Sequence, residues 1–184
     1  LDVMTNVNTI VMDKTGTLTK GVFKVQQVVT NGIDENELVK LTAALEKNST
    51  HPIAKAVTEF AGDKTNGVNV VGVEESSGHG LKGNVDGKEM LAGNVKLLKK
   101  YNINYPTEIE KIVDTIVVVA INSQYAGYIT IADEIKEDAV QAVKDMHSLN
   151  IKTVMLSGDK QSVVDKVAKS VGIDEAYGDL LPEG

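Results

Sequence analysis

An aspartate directly follows a short apolar segment near the start of the chain. Residues 9–12 are apolar or β-branched throughout, which is typical of a strand buried on both faces of a sheet. The segment ends at Asp13, and a loop of mostly small or polar residues follows through Thr19. Open α/β sheets place their chemistry at the carboxyl ends of such strands. A carboxylate held there, facing backbone amides and a divalent cation, can attack the terminal phosphorus of ATP and form an acyl phosphate.

The residues after Asp13 have the side chains that such a reaction needs. A phosphoryl-transfer transition state spreads negative charge over its oxygens, so catalysis consists mainly of positioning and charge neutralisation. We therefore interpret Asp13 as the nucleophile and Lys14 as a local positive charge. Thr15 and Thr17 offer hydroxyl groups, and Gly16 allows the backbone to approach the phosphoryl group closely.

A second polar segment follows another buried-type strand near the end of the chain. Residues 151–156 predict this strand, and residues 161–171 predict a helix after it. Ser157, Gly158 and Asp159 lie between the two. Taken alone, these three residues are more often a helix cap than a binding site.

Asp133 has two possible roles. It follows a strand that we predict over residues 125–132, so it is either a functional carboxylate or the N-cap of the next helix. The helical spacing that suggests this helix is carried by Ile135, Ala139, Val143 and Met146.

A histidine and a proline mark a helix start in the middle of the chain. Ser49 or Thr50 is predicted to cap this helix, with Pro52 in its first turn. His51, at the same helix start, can stack on adenine or hydrogen-bond to it. A lone His-Pro pair at a helix start is structural more often than functional.

A glycine-rich segment follows, with glycines at positions 78, 80 and 83. Gly78 and Gly80 would let the backbone lie flat against a base or ribose, where a Cβ would intrude. The spacing is GxGxxG, but no dinucleotide-type strand–loop–helix unit follows it, because Asp86 and Gly87 predict a hairpin turn instead.

The pattern of predicted elements divides the chain into two domains. Both ends of the chain alternate strands and helices, as a parallel α/β domain does. The middle has short antiparallel segments, and a capping box at Asp34 and Glu37 predicts the start of a helix there. We predict a discontinuous domain of residues 1–20 and 127–184, and an inserted α+β domain with an antiparallel sheet over residues 21–126.

Composition excludes several classes of protein. The 184-residue chain has a net charge of −7 and no basic cluster, which argues against a nucleic-acid partner. It has no cysteine, which excludes disulfides and thiolate metal sites. No apolar run approaches the ~20 residues of a membrane span. The chain lacks an initial methionine, so we expect a piece of a longer protein.

The segment from Asp13 to Thr19, DKTGTLT, matches the phosphorylation signature of P-type ATPases at all seven positions. The phosphorylation domain of that family belongs to the haloacid-dehalogenase-like superfamily, so the resemblance implies a Rossmann-type parallel sheet. Phosphatases of the superfamily carry a second Asp two positions after the nucleophile, where this chain has Thr15. Hydrolysis of an aspartyl phosphate should then be slow, which suits a pump.

The middle of the chain resembles the heavy-metal (P1B) subfamily of these pumps. This chain has counterparts of four features of that subfamily: the SxHP motif, the acid near adenine, the GxGxxG loop and a further Gly-Asn motif. The resemblance implies a nucleotide-binding site formed by Glu46, His51, Pro52, Gly78, Gly80, Gly83, Gly93 and Asn94. It also implies phosphate contacts from Thr15, Gly16, Thr17, Ser157, Gly158 and Asp159, and a Mg²⁺ site at Asp13 and the backbone carbonyl of Thr15.

The resemblance therefore implies the ATP-binding and phosphorylation unit of a heavy-metal pump, Zn²⁺/Cd²⁺ slightly favoured over Cu⁺. ATP and Mg²⁺ would be the cofactors, and the pump's own membrane and actuator domains and the transported ion would be the partners. The unit would be a cytoplasmic, monomeric part of an integral membrane protein, weakly active or inactive in isolation. The alternatives are a stand-alone haloacid-dehalogenase-like phosphohydrolase and a nucleotide-binding module without turnover.

Overall fold

The computed structural model describes residues 8–180. The strands are β1 (Asn8–Asp13), β2 (Thr19–Thr30), β3 (Val70–Ser76), β4 (Gly80–Val85), β5 (Lys88–Gly93), β6 (Thr115–Ile121), β7 (Gln124–Ile135), β8 (Ile151–Leu156) and β9 (Glu175–Tyr177). The helices are α1 (Glu35–Glu46), α2 (Pro52–Ala61), α3 (Val95–Lys100), α4 (Ala139–Ser148) and α5 (Gln161–Val171). Over the described range, none of the helices has the length and apolar character needed to cross a bilayer.

The chain forms two compact units. The first contains described residues 8–22 and 133–180, and the second contains residues 23–132. The insertion predicted over residues 21–126 ends within β7, whereas the second unit continues to Ala132. The physical reason is the pairing of β7 with β6, which continues as far as Ile131 opposite Thr115.

The first unit is built on a parallel sheet in the order β1-β8-β9. β1 and β8 pair from Asn8 opposite Ile151 to Asp13 opposite Leu156, so their carboxyl ends are aligned. Helices α4 and α5 supply Val143, Val164 and other buried side chains to one core with the strands. The predicted parallel α/β character is confirmed, and β9 is an additional strand.

The second unit is built on an antiparallel sheet in the order β2-β7-β6-β5-β4-β3. Helices α1 and α2 pack on one face, where Leu38, Leu41 and Val57 are fully buried. A separate cluster with α3 covers other strand residues, including Leu91 and Val118. The predicted antiparallel insertion is therefore confirmed.

Local turn chemistry explains where several elements begin. The side chain of Asp34 accepts a hydrogen bond from the Glu37 amide and caps α1, as predicted. Asp86 and Gly87 both have positive φ and form the predicted hairpin turn between β4 and β5. The helix predicted to include Ile135 is shorter than expected, because Ile135 is the last residue of β7 and α4 begins at Ala139.

Candidate functional site

Asp13 is the last residue of β1, and its side chain is exposed. The loop that follows, Lys14–Leu18, turns back on itself, with Gly16 at φ +84°. The amide of Thr19 donates to the Lys14 carbonyl and closes the loop. A side chain at position 16 would be strained, because positive φ disfavours residues with a Cβ. The loop therefore leaves a carboxylate exposed at the end of β1. The prediction that this strand is buried on both faces is wrong, because β1 is an edge strand of the described sheet in which Met12 is buried and Val11 is 58% exposed.

Lys14 is buried beneath this loop, with only 1% of its side chain exposed. Its Nζ lies 2.9 Å from Asp159 Oδ2 and 3.6 Å from Asp133 Oδ2. The Thr19 hydroxyl donates to Asp133 Oδ2 at 2.5 Å and lies 3.0 Å from the Lys14 carbonyl oxygen. The charge of Lys14 is thus balanced by two carboxylates. The catalytic role of Lys14 as a local positive charge stays a prediction.

The structure also decides between the two roles considered for Asp133. It lies inside β7, two residues before the strand ends, so the helix N-cap interpretation is wrong. Its side chain is 2% exposed and reaches Lys14, which is far away in the sequence. Burying a carboxylate is unfavourable unless it is paired, so this ion pair accounts for the position of Asp133 in the fold.

Ser157, Gly158 and Asp159 directly follow β8, whose last residue is opposite Asp13 in the sheet. Ser157 Oγ accepts a hydrogen bond from the Asp159 amide at 3.0 Å. The N-cap of α5 is Lys160, so the helix-cap interpretation of this segment is wrong. The parallel register therefore brings both polar segments to one edge of the sheet, where α/β folds bind ligands.

Mg²⁺ was expected at Asp13 and the Thr15 carbonyl. Within residues 8–180, no group of three or more His, Asp or Glu side chains is arranged to hold a metal ion. Mg²⁺, however, is commonly bound by only one or two carboxylates, with substrate phosphates and water completing its shell. The exposed Asp13 carboxylate and the adjacent loop backbone fit a partial site of this kind.

The second unit contains a cavity of about 260 Å³. It is bounded by the end of α1, the start of α2, the β3–β4 loop, the end of β5 and the start of β6. The lining residues are Glu46, Ser49, His51, Ile53, Ala54, Glu75, Ser76, Gly78, His79, Gly80, Leu81, Ala92, Gly93, Asn94, Thr115, Ile116 and Val117. Six of the eight predicted nucleotide-site residues are thus brought together.

His51 is itself the N-cap of α2. Its Nδ1 accepts a hydrogen bond from the Ile53 amide at 3.1 Å, and its own amide donates to Ser49 Oγ. The prediction that Ser49 or Thr50 is the cap was therefore wrong by one or two positions. Because Nδ1 is an acceptor here, a neutral His51 carries its proton on Nε2 and offers a donor.

The glycine loop is held against the end of β5 by backbone contacts. Gly80 has φ +141°, and a Cβ there would lie 2.3 Å from the Ala92 carbonyl oxygen. A Cβ on Gly93 would lie 2.1 Å from the His79 carbonyl oxygen. Asn94 also joins the two segments, because its side-chain amide donates to the Gly78 carbonyl at 2.8 Å. Close backbone approach thus requires glycine at positions 80 and 93.

Two predicted residues do not line the cavity. Gly83 faces the core, where a Cβ would lie 2.8 Å from Leu45 Cδ1, so its glycine serves helix–sheet packing. Pro52 occupies the first position of α2, where its fixed φ favours the helix start.

Sequence reasoning missed several cavity residues. Glu75, Ser76 and Thr115 lie on strands, and His79 lies between the two loop glycines. The Nδ1 atom of His79 lies 2.9 Å from the Ser77 carbonyl oxygen. The spacing of His79 inside GxG was the one available signal. The strand residues were identifiable only once the register of β3 and β6 was known.

The carboxyl group of Glu46 has an altered acidity. The residue is 6% exposed, and burial, followed by the negative charge of Glu75, raises the pKa of Glu46 to about 7. Burial disfavours the charged form of a carboxyl group, and a nearby like charge acts in the same direction. Near neutral pH, Glu46 is therefore present in both its acid and its carboxylate forms.

Glu46→Gln should make stability less dependent on pH. The folded protein retains a proton on Glu46 between pH 4.5 and about 7, so wild-type stability falls as the pH rises through this window. Relative to wild type, we expect the variant to gain up to about 3 kcal/mol in free energy of unfolding at pH 8, and much less at pH 5. Urea unfolding at both pH values measures this. Glu74→Gln, at an exposed neighbouring position, should show no such difference.

A family model for haloacid dehalogenase-like hydrolases matches residues 7–184. The zinc-transporting ATPase of Synechocystis sp. is 47% identical over all of this chain, and the cadmium, zinc and cobalt-transporting ATPase of Bacillus subtilis is 44% identical over all of it. A copper-exporting P-type ATPase of Staphylococcus epidermidis is 37% identical over 96% of the chain. The chain spans 25%, 26% and 23% of these relatives, respectively.

Solved structures give the same result. A zinc-transporting PIB-type ATPase in the E2.Pi state has a TM-score of 0.70 and 30% identity, covering 96% of this chain and 30% of that one. The catalytic CPx-ATPase domain CopB-B has a TM-score of 0.69 and 28% identity, and the match covers 97% of this chain and 63% of that domain. The chain belongs to the haloacid dehalogenase-like hydrolase family, and its relatives in sequence and structure are heavy-metal P-type ATPases.

Proposed function

We propose that this chain is the ATP-binding and phosphorylation unit of a heavy-metal cation pump. The proposal rests on the observation that the chain has two distinct sites, each with side chains suited to one part of this function. One is an exposed carboxylate, Asp13, at the edge where β1 and β8 end. The other is a cavity with a glycine loop, an imidazole and a buried carboxyl group. The first suits phosphoryl transfer, and the second suits a purine nucleotide.

The proposed reaction is transfer of the terminal phosphoryl group of ATP to Asp13. A carboxylate oxygen of Asp13 forms a bond to the γ-phosphorus, the bond from that phosphorus to the β–γ bridging oxygen breaks, and ADP leaves. Bound Mg²⁺ would neutralise charge on the transferred group. Thr15, Gly16 and Thr17 would contact this group from the loop, with Ser157, Gly158 and Asp159 beside them.

The aspartyl phosphate should be long-lived without further domains. Thr15 occupies the position where phosphatases of the superfamily have a second Asp as general acid and base. A threonine hydroxyl is a poor proton acceptor at neutral pH, so the attack of water on the phosphorylated Asp13 lacks its base. Thr15 thus favours a pump over a phosphohydrolase, because a pump has to keep its phosphoenzyme while it changes conformation.

The parent protein would be a membrane pump of which this unit is a cytoplasmic part. Its membrane and actuator domains and the transported ion would be the partners. Zn²⁺ or Cd²⁺ is favoured over Cu⁺, because the zinc and the cadmium, zinc and cobalt transporters are 47% and 44% identical to this chain, and the copper exporter is 37% identical.

Calorimetric titration with ATP tests the nucleotide site. We expect Gly80→Val to weaken binding more than tenfold, because its side chain would collide with the Ala92 carbonyl and displace the loop. His51→Gln should weaken binding about fivefold, which corresponds to about 1 kcal/mol for one lost hydrogen bond.

The control is Gly87→Val. Gly87 also has positive φ, at +82°, but nothing lies within 4 Å of its would-be Cβ. It therefore has a similar backbone strain without the collision, and its ATP affinity should remain near that of wild type. Circular dichroism would identify a variant that fails to fold. If folded Gly80→Val and His51→Gln both bind ATP like wild type, the assignment of the cavity is wrong.

A further inference from the structure

Two carboxyl groups share the nucleotide cavity. Glu46 is the last residue of α1, and Glu75 lies near the end of β3. Glu75 is directly opposite Leu81 in the β3–β4 pair. Directly opposite residues point to the same face of a sheet, and Leu81 is buried in the core beneath α1 and α2. The strand register therefore directs Glu75 to the face on which Glu46 lies.

The elements around Glu46 carry several charged and titratable residues, but few of them reach the cavity. The elements packed against α1 are α2, the 3₁₀ helix that follows it (Gly62–Thr65), and strands β3, β4 and β5. Their titratable groups are His51, Lys55, Glu59, Asp63, Lys64, Glu74, Glu75, Lys82, Lys88 and Glu89, and the β3–β4 loop adds His79. Of these, only His51, Glu75 and His79 line the cavity among the described residues.

Two of the lysines on these elements have other partners. Lys82 Nζ lies 4.8 Å from the centre of the Tyr101 ring and 3.9 Å from Glu89. Lys64 Nζ donates to the side chain of Asn36, at the opposite end of α1. None of the ion pairs found within residues 8–180 includes Glu46. The cavity thus surrounds Glu46 with a second carboxylate and without a compensating lysine.

An uncharged carboxyl group is a good match for adenine. It has one donor, the O–H group, and one acceptor, the carbonyl oxygen. The N6/N7 edge of adenine has the complementary donor and acceptor, whereas the O6/N7 edge of guanine has two acceptors. A carboxylate has acceptors only, so its second oxygen would repel the adenine ring nitrogen. The protonation state of a carboxyl group at this place therefore affects how well adenine binds.

We propose that Glu46 recognises adenine as the uncharged carboxylic acid, and that Glu75 is the positioning residue that keeps it uncharged near neutral pH. This inference rests on the proposed function, because it requires a nucleotide in the cavity. Burial and the charge of Glu75 raise the pKa of Glu46 to about 7, in agreement with the geometry. Adenine affinity should then decrease as the pH rises above 7.

The test is an NMR titration of the chain with adenosine at pH 6, 7 and 8. Adenosine is the probe because, unlike ATP, it has no phosphate that titrates in this range. If only the acid form binds well, the apparent Kd should rise about tenfold between pH 6 and pH 8, following the fraction of protonated Glu46. Guanosine should bind more weakly than adenosine at pH 6.

Three variants separate the effects of Glu46 and Glu75 from those of the two histidines that also line the cavity. Glu46→Gln keeps one donor and one acceptor without titrating, so the pH dependence should disappear. Glu75→Gln removes the neighbouring charge and lowers the pKa of Glu46, so its affinity should begin to fall at lower pH than in wild type. Glu74→Gln, next to Glu75 but outside the cavity, should retain the wild-type profile.

The outcomes distinguish the inference from the proposed function. Adenosine binding that is independent of pH in wild type would overturn the inference and leave the nucleotide site intact. A pH dependence that persists in Glu46→Gln would assign the titration to a group other than Glu46 and would also overturn the inference. An unchanged profile in Glu75→Gln would remove the positioning role. If neither ATP nor adenosine binds at any pH, the proposed function fails as well.

Discussion

Asp13→Asn in the proposed full-length pump should lower phosphoenzyme formation more than about 1000-fold, below the level that labelling with γ-³²P-ATP detects. An amide cannot replace the carboxylate oxygen that forms the acyl phosphate bond. Nucleotide binding should persist, because every residue that lines the cavity belongs to residues 23–132. Acid-stable labelling of the purified protein, combined with calorimetry, measures both properties.

The matched control for this experiment is Asp34→Asn. Asp34 is also an aspartate, but it lies in the second unit, where it is the N-cap of α1. Asparagine is a good N-cap, so this variant should fold and should be labelled like wild type. Labelling of Asp13→Asn at a comparable level would show that another residue accepts the phosphoryl group.

Lys14→Ala should lower the free energy of unfolding by about 3–5 kcal/mol, the usual cost of removing one partner of a buried ion pair. The substitution leaves Asp133 buried, at 2% exposure, without its cation. The other carboxylate oxygen of Asp133 is already buried without a hydrogen-bond partner among the described residues. Chemical denaturation at neutral pH, followed by circular dichroism, measures this loss.

Two comparisons make the result specific to the ion pair. Lys20→Ala removes an exposed lysine that lies 3.6 Å from Glu134, and it should cost less than about 1 kcal/mol. The double variant Lys14→Met and Asp133→Asn removes both charges, so it should be more stable than Lys14→Ala. Equal stability of the Lys14 and Lys20 variants would mean that Lys14 is not buried in solution.

Local signals predicted those features that depend on a few adjacent residues. The cap at Asp34 and the hairpin at Asp86 and Gly87 follow from side-chain and φ preferences at the turns themselves, and both are confirmed. The two sheets could also be predicted, because continuous apolar strands and short alternating ones differ in pattern.

Features that depend on long-range contacts could not be predicted. The sequence around Asp133 is equally compatible with a helix cap, and only the distant partner Lys14 explains its place in a strand. Glu75 looks like an ordinary polar strand residue until the β3–β4 register places it opposite Leu81. Gly83 fits the glycine motif by spacing, but its neighbour Leu45 is in a helix far away in the chain.

Gly80 and Gly93 are direct partners in the β4–β5 pair. A Cβ at position 80 would collide with the carbonyl oxygen of Ala92, and a Cβ at position 93 would collide with that of His79. Because both obstacles are backbone atoms, a larger residue at one position cannot be accommodated by a substitution at the other. His79 takes part in this close packing through its carbonyl oxygen only, and its side chain does not restrict positions 80 and 93. Redesign of this loop can therefore substitute position 79, whereas positions 80 and 93 have to remain glycine.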